Sequence, residues 1–331
     1  ISHIESLVRV GEYLWQGLPG RRVALFPRNR VDRMLRRPAE ATGEFAHAVQ
    51  ETLAEGGASF LAEIARDSGL AESDALKGLF ELAWSGHVTN DALTGIEEPG
   101  KRKARRGTRA ERLGESHRLP LYGRWSLLPA PVDDAADAAE AWAERLLNGY
   151  GVVAKEVASA AEVPVPWPLL VDALTTMEAQ GRIRRGYFVR ALSGIQFAMP
   201  DVVEQLRGKQ RSGLRLVAVS DPANAYGAIL PVAAEAPYRP SRIPGSWLVV
   251  RDGLPVLAIE GWGRRLIPLA RDGVEGALEK VRDLAGARSA GRVAVESWGD
   301  QPVIGSSGES LLSAAGFSAG PRRMSYRAPV P

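Results

Sequence analysis

The chain has 331 residues, with 42 Lys and Arg against 39 Asp and Glu, four histidines and no cysteine. This composition excludes disulfides, thiol catalysis and cysteine-based metal sites. With a formal net charge of only +3, any nucleic-acid affinity must come from local clusters of basic residues. At about 150 residues per domain, the length predicts two or three domains.

The N-terminal segment predicts a β-hairpin. Residues 12–15 and 23–26 have the pattern of two strands, and two strands are not stable alone. The chain begins with Ile1, and its opening lacks the basic start and apolar stretch of a signal peptide. No apolar run approaches the ~20 residues of a membrane span. We therefore expect a piece of a longer cytoplasmic protein, in which residues 1–40 complete an upstream domain.

Two later segments predict the same order of elements, three short helices followed by strands. In the first segment apolar side chains recur every four residues along the first helix, at Phe45, Val49 and Leu53. Three helices and a hairpin make the winged-helix form of the helix-turn-helix, and an internal repeat predicts stacked modules. We expect winged-helix modules at residues 44–128 and 133–206, with a plain helical bundle as the alternative.

A basic stretch lies between the two repeats. It has no apolar periodicity, so we expect a flexible loop, and its positive residues include Lys101, Arg102, Lys103, Arg105 and Arg106. Residues 123–128 then predict a strand that returns to the first module as its second wing strand.

The C-terminal part changes to a period of two, which is typical of strands. Several short strands with one or two helices over residues 212–331 predict a small β-barrel-like domain or a highly curved sheet. The fold class expected for the whole chain is therefore α+β, with tandem winged-helix modules followed by this domain.

Several phrases of the sequence together resemble the C-terminal region of Lhr, the large helicase-related proteins of bacteria. They are AWSGHVTND at residues 83–91, GRWS at 123–126, RIRRGYFV at 182–189, GIQFA at 194–198 and DPANAYG at 221–227. The resemblance implies an ATP-dependent superfamily II DNA helicase that acts in DNA repair. This chain has neither a phosphate-binding loop of the G-x-x-x-x-G-K-[ST] type nor a D-E-x-H run, so ATP and Mg²⁺ would bind an upstream motor.

The same region of the family is similar to tandem winged-helix DNA glycosylases, which use a Gln-rich or acidic catalytic motif. Gln16 and Gln50 each stand alone here, so that motif cannot be placed. His87 and Asp91 are the nearest candidates for catalysis, although a histidine beside a turn is more often a structural cap. We assign no catalytic residue, metal ligand or resident cofactor to this chain.

Charge argues against the usual mode of winged-helix binding. The third helix of the first module, residues 71–81, has three carboxylates against one lysine, and that of the second, residues 167–180, has two carboxylates and no base. Because these faces repel phosphates, we expect neither helix to enter a DNA groove.

The predicted DNA-binding residues therefore lie outside the third helices. They are the five basic residues of the loop, Arg124 and Trp125 at the first wing, and Arg182, Arg184 and Arg185 at the second wing. The arginines would bind phosphates along the DNA backbone without reading the bases. The alternative is that they are solvated surface charges without a specific role. Trp125 and Trp84 could stack on unpaired bases, although tryptophan is more often part of a core.

These observations favour an accessory region of a helicase that guides DNA and assembles subunits. Its expected partners are single-stranded or tailed duplex DNA, the upstream helicase core of the same polypeptide and further copies of itself, with no membrane. The alternative is a glycosylase-like base-excision unit whose site lies partly upstream. A transcription regulator is a third possibility, and the acidic third helices argue against it.

Overall fold

The computed structural model describes residues 2–93, 123–208, 212–221, 223–232, 238–286 and 291–328. The chain forms two compact units, Ile1–Trp142 and Ala143–Pro331. Both mix helices and sheet, as the predicted α+β class requires. Among the described residues, no helix combines the length and the apolar character that crossing a membrane demands.

The described part of the first unit contains a hairpin, five helices, a short wing and the start of a sixth helix. Its elements are α1 (Ser2–Arg9), β1 (Tyr13–Leu18), β2 (Arg22–Pro27), α2 (Val31–Met34), α3 (Glu44–Gly56), α4 (Leu61–Ser68), α5 (Glu72–Ser85), β3 (Val88–Asn90), β4 (Trp125–Leu127) and the start of α6 (Ala135–Tyr150). Strands β1 and β2 are antiparallel, as predicted. Strand β4 pairs antiparallel with β3, so the segment after the basic loop does return to the first module.

One hydrophobic core joins the N-terminal hairpin to the helices of this unit. Trp15 of β1 is buried with Val49 of α3 and Leu79 of α5. Gly17 lets β1 lie directly on α5, because a Cβ there would come within 2.0 Å of the Ala83 carbonyl oxygen. The hairpin therefore shares this core with α3 and α5. That residues 1–40 complete an upstream domain stays a prediction.

The second unit starts with a second set of helices and a wing. Its elements are the end of α6, β5 (Val152–Val153), α7 (Lys155–Ala160), α8 (Trp167–Ala179), β6 (Arg184–Gly186), β7 (Gln196–Ala198) and α9 (Pro200–Arg207). Helix α8 has a proline in its first turn. A backbone N–H at this position has no acceptor within the helix, so the N–H that proline lacks is not missed there. Strand β7 lies between β5 and β6 in an antiparallel sheet.

The C-terminal part is built on two sheets and two helices. Its elements are β8 (Leu214–Ala218), β9 (Trp247–Arg251), β10 (Leu254–Glu260), β11 (Arg265–Pro268), α10 (Val274–Gly286), β12 (Arg292–Val295), β13 (Ser297–Trp298), β14 (Gln301–Pro302), α11 (Ser307–Ala314), β15 (Ser318–Ala319) and β16 (Met324–Arg327). One sheet has the order β14-β13-β11-β10-β9-β8, and the other has the order β12-β16-β15.

The expected β-barrel-like closure is not seen among the described strands. The larger sheet is open, because it begins at β14 and ends at β8 without pairing between them. Helix α10 supplies the burial that closure would otherwise provide. Its Ala277, Leu278 and Val281 pack in one core with Val249 and Leu257 of the sheet. A sheet covered by a helix has its apolar face out of water and does not need to close.

Candidate nucleic-acid interface

The second wing is held in one conformation by a buried glutamine. Gln196 of β7 is 1% exposed, and its amide group makes four hydrogen bonds to the wing loop. Its Oε1 accepts from the backbone N–H of Phe188 (2.9 Å) and of Val189 (2.8 Å). Its Nε2 donates to the carbonyl oxygens of Val189 (2.9 Å) and Leu192 (3.2 Å). All the hydrogen-bonding positions of this amide are thus used to shape the loop.

A second contact ties the wing loop to helix α7. Both the amide and the hydroxyl of Ser193 donate to Glu156 Oε1, the amide at 2.9 Å. These hydrogen bonds favour the ionised carboxylate and lower the pKa of Glu156. The loop is consequently fixed at two points, by Gln196 at its base and by Glu156 near its far end.

The outer surface of this wing carries two arginines and a tyrosine. Tyr187 is 84% exposed, and Arg184 and Arg190 on either side are also exposed. Neither arginine has a hydrogen-bond or ion-pair partner within the described part of the chain. Phe188 turns inward instead and packs on the apolar residues behind the sheet. Its ring lies so close to Gly186 that a Cβ there would be 2.9 Å away.

The other two arginines predicted at this wing serve as anchors. Arg182 pairs with Glu144 of α6. Arg185 pairs with Glu178 of α8 at 2.7 Å, donates to Thr175 and lies over the Phe197 ring at 5.3 Å. Their charges are largely balanced by carboxylates, so phosphate binding through them stays a prediction.

Arg124 of the first wing is also held by a carboxylate. Its backbone N–H donates to Asp91 Oδ1 at 2.8 Å, and its Nε pairs with Oδ2 at 3.2 Å. Both carboxylate oxygens of Asp91 thus bind Arg124 and close the wing. The five predicted loop residues, Lys101, Arg102, Lys103, Arg105 and Arg106, lie outside the described residues.

The expectation that Trp125 contacts DNA is corrected by its burial. Trp125 is 0% exposed, because its indole packs edge-on against Trp15 and Phe80 at centroid distances of 6.1 and 6.5 Å. It cannot stack on a base while it fills this core. Tyr187, which the sequence pattern did not indicate as a binding residue, is an exposed aromatic side chain beside positive charge.

The third helices of both modules are committed to packing. A Cβ at Gly78 would lie 2.5 Å from the Phe45 carbonyl oxygen, so α5 and α3 are in backbone contact. On α5, Glu81 accepts hydrogen bonds from the N–H groups of Thr42 and Gly43. On α8, Glu178 holds Arg185. The predicted acidic helices therefore use their carboxylates for internal contacts and offer no basic face to a groove.

The remaining candidates for catalysis have structural roles. Gln16 is 1% exposed and hydrogen-bonds the backbone N–H and carbonyl of Arg36 and the carbonyl of Gly86. His87 Nε2 is 2.8 Å from the Ala39 carbonyl oxygen. Among the described residues, no cluster of His, Asp and Glu could hold a metal ion.

Helices followed by a short wing occur in each of the two units, which is the order of elements in a winged-helix domain. The model of the Large helicase-related protein, winged-helix domain, matches residues 132–215. The chain is 32% identical over 328 residues to "Lhr helicase/ probable uracil glycosylase" of Mycolicibacterium smegmatis, covering 88% of this chain and 21% of that protein. It is 31% identical over 335 residues to "Lhr helicase/uracil glycosylase" of Escherichia coli, covering 87% and 21%. The resemblance to Lhr proteins is thus confirmed.

The matched proteins differ in how much of their length this chain covers. The chain spans about a fifth of the length of the curated relatives it matches, 21% of each. Among solved structures, the Streptomyces sahachiroi DNA glycosylase AlkZ matches with a TM-score of 0.43 and 15% identity, covering 86% of this chain and 82% of that one.

Proposed function

We propose that this chain is an accessory region of an Lhr-type helicase, and that its second wing guides single-stranded or tailed duplex DNA. The observation that carries the proposal is the fixed wing loop with three exposed side chains. Arg184 and Arg190 supply positive charge without internal partners, and Tyr187 between them supplies an exposed ring.

These side chains suit binding without sequence readout. Arginines bind phosphate oxygens, and an exposed aromatic ring stacks on any unpaired base, because every base has a π-face. The two ties through Gln196 and Glu156 lower the entropy lost when the loop binds, since the loop is already ordered. A rigid wing of this kind can hold a strand while a separate motor pulls it.

The other parts of the proposal concern the whole protein. ATP and Mg²⁺ bind the upstream motor on the same polypeptide, and this chain supplies no resident cofactor. Copies of the protein associate into a homo-oligomer that acts in the cytoplasm. Sedimentation of the intact protein at micromolar concentration tests the association, and a monomer there contradicts it.

Fluorescence anisotropy with a single-stranded oligonucleotide across a salt series tests the wing. Each lost phosphate contact lowers the salt slope by about 0.7, so Arg184→Ala with Arg190→Ala lowers it by about 1.4 and weakens binding about 25-fold near 0.1 M salt. The matched control, Arg215→Ala with Arg292→Ala, removes the same charge from exposed positions elsewhere. Equal losses in both variants contradict a specific role for the wing.

An alternative is a base-excision unit, because the printed names of both relatives include uracil glycosylase. Its site would lie partly outside this chain, since the described residues with candidate chemistry are used for internal contacts. Release of uracil from single-stranded DNA, scored as alkali-sensitive strand breakage, separates the two proposals. Its absence in both the intact protein and this chain removes the alternative.

A further inference from the structure

A pocket lies in the C-terminal part of the second unit, where β10 and β11 of the larger sheet contribute Glu260 and Arg265 to its lining. Its volume is about 360 Å³, within the range of sites for small ligands. Its lining surface is about half polar and half apolar, and its polar residues are Ser241, Ser246, Glu260, Arg264, Arg265, Glu296 and Ser297. No part of the proposed DNA-guiding wing belongs to it.

The floor of the pocket holds a buried hydroxyl without a partner. Ser246 is 2% exposed, and its Oγ makes no hydrogen bond within the described part of the chain. A buried hydroxyl that lacks a partner costs folding free energy, so such a group in a pocket wall points to a ligand that completes it.

The charges that line the pocket cancel. Glu260 is held by the Tyr238 hydroxyl at 2.7 Å and by Arg265 at 3.3 Å. Burial, with help from Glu260, raises the pKa of Tyr238, so this phenol stays protonated and donates. At the mouth, Arg264 pairs with Glu296 at 3.0 Å.

The two carboxylates and two guanidinium groups among the lining residues leave no net charge, and Arg265 also pairs with Asp300, which is not a lining residue. A phosphate would meet the carboxylates, and an amine cation would meet the guanidinium groups. The occupant that fits is neutral and offers both hydrogen-bond donors and acceptors.

A strained tryptophan lies beside the floor. Trp262 adopts φ 63° and ψ 34°, a left-handed conformation that bulky residues rarely take, and its side chain is 45% exposed. Its indole covers Gly245, the residue just before Ser246, so closely that a Cβ there would lie 2.6 Å from the ring. It also packs edge-on against Trp247 at 5.1 Å. The pocket is thereby placed next to an exposed aromatic ring.

We propose that this pocket binds a single neutral nucleobase, with a preference for bases that carry an exocyclic amino group. The amino group donates to Oε1 of Glu296, since Arg264 engages only Oε2 of that carboxylate, and a ring acceptor receives the hydrogen bond of Ser246. Carboxylates accept from such amino groups in base recognition generally. The base comes either from a free nucleotide or from an unpaired position in a strand.

Saturation-transfer NMR and calorimetric titration of the full chain test this site with dGMP, dCMP, dTMP and 2-deoxyribose 5-phosphate. We expect dGMP and dCMP to bind more tightly than dTMP, and the sugar phosphate not to bind. Ser246→Ala lowers the dGMP affinity about 3- to 10-fold, the effect of one hydrogen bond, without lowering the melting temperature. Ser313→Ala, at an exposed position, is the matched control and changes neither.

A second variant keeps the result independent of Ser246. Glu296→Ala removes the acceptor and abolishes the preference for dGMP and dCMP over dTMP, while the exposed control Glu275→Ala preserves it. Competition of dGMP with an oligonucleotide that contains one unpaired guanine shows that strands use the site, and lack of competition shows that only the free nucleotide does. Binding that follows the sugar phosphate, or no binding of any nucleotide, overturns the proposal. The pocket and the second wing are tested independently: Arg184→Ala with Arg190→Ala should leave dGMP binding unchanged.

Discussion

Replacing Gln196 with leucine tests whether the second wing is shaped by one buried amide. Leucine has nearly the same volume, so the substitution removes hydrogen bonds without leaving a large cavity. It leaves two backbone N–H groups and two carbonyls of the loop without their partner. If each hydrogen bond contributes about 1 kcal/mol net, the loss is about 4 kcal/mol, and about 2 kcal/mol if two loop groups recover water.

The effect is local, so it is measured by hydrogen exchange as well as by urea unfolding. The amides of Phe188 and Val189 should lose protection by about 30- to 1,000-fold, which corresponds to about 2–4 kcal/mol. Gln205→Leu, at an exposed position on α9, is the matched control and should change neither protection nor stability. Unchanged protection at both amides in Gln196→Leu refutes the assignment of Gln196 as the residue that holds the loop.

Two further predictions concern the cores and the wing. Trp125→Ala should destabilise the first unit by about 3–5 kcal/mol in urea unfolding, because a fully buried indole is lost, and a loss below about 1 kcal/mol contradicts its place in the core. The pKa of Glu156 is lowered in the folded state, so the stability that it adds above its ordinary pKa of 4.5 is lost as the pH falls through the folded value. Glu156→Gln should flatten this acid-side loss in thermal unfolding, and an unchanged pH profile argues against the Ser193 contact.

The helices were predictable because their signals are local. The spacing of Val49 and Leu53 gave the buried face of α3, and Pro166 marks the start of α8. The return of residues 123–128 to the first module was also predicted, since a lone strand needs a partner. These features depend on neighbours along the chain, which periodicity detects.

The features that were missed depend on contacts between distant residues. Arg182 and Arg185 differ from Arg184 because Glu144 and Glu178 on two helices pair with them, and no spacing in the sequence indicates this. Strand alternation does not extend beyond the end of β6. It therefore could not predict that Tyr187 turns outward and Phe188 inward. The barrel-like expectation is not confirmed for a similar reason, because short strands alone do not specify whether a helix covers their sheet.

Gln196 could have been suspected from the sequence. It is a lone amide between two apolar residues, Ile195 and Phe197, in a predicted strand. A buried polar side chain at such a position needs hydrogen-bond partners, and nearby loop backbone is the simplest source.

Photo-crosslinking from Tyr187, the exposed residue that follows β6 in the second wing, tests the central claim most directly. Tyr187 is replaced by p-benzoylphenylalanine, and the protein is irradiated with labelled single-stranded DNA. The control places the same group at Leu254, which is 70% exposed on the hairpin between β9 and β10. A DNA-guiding wing predicts a crosslink at position 187 that weakens as salt rises, with little at position 254. Equal crosslinking at the two positions, or none at 187, contradicts the account.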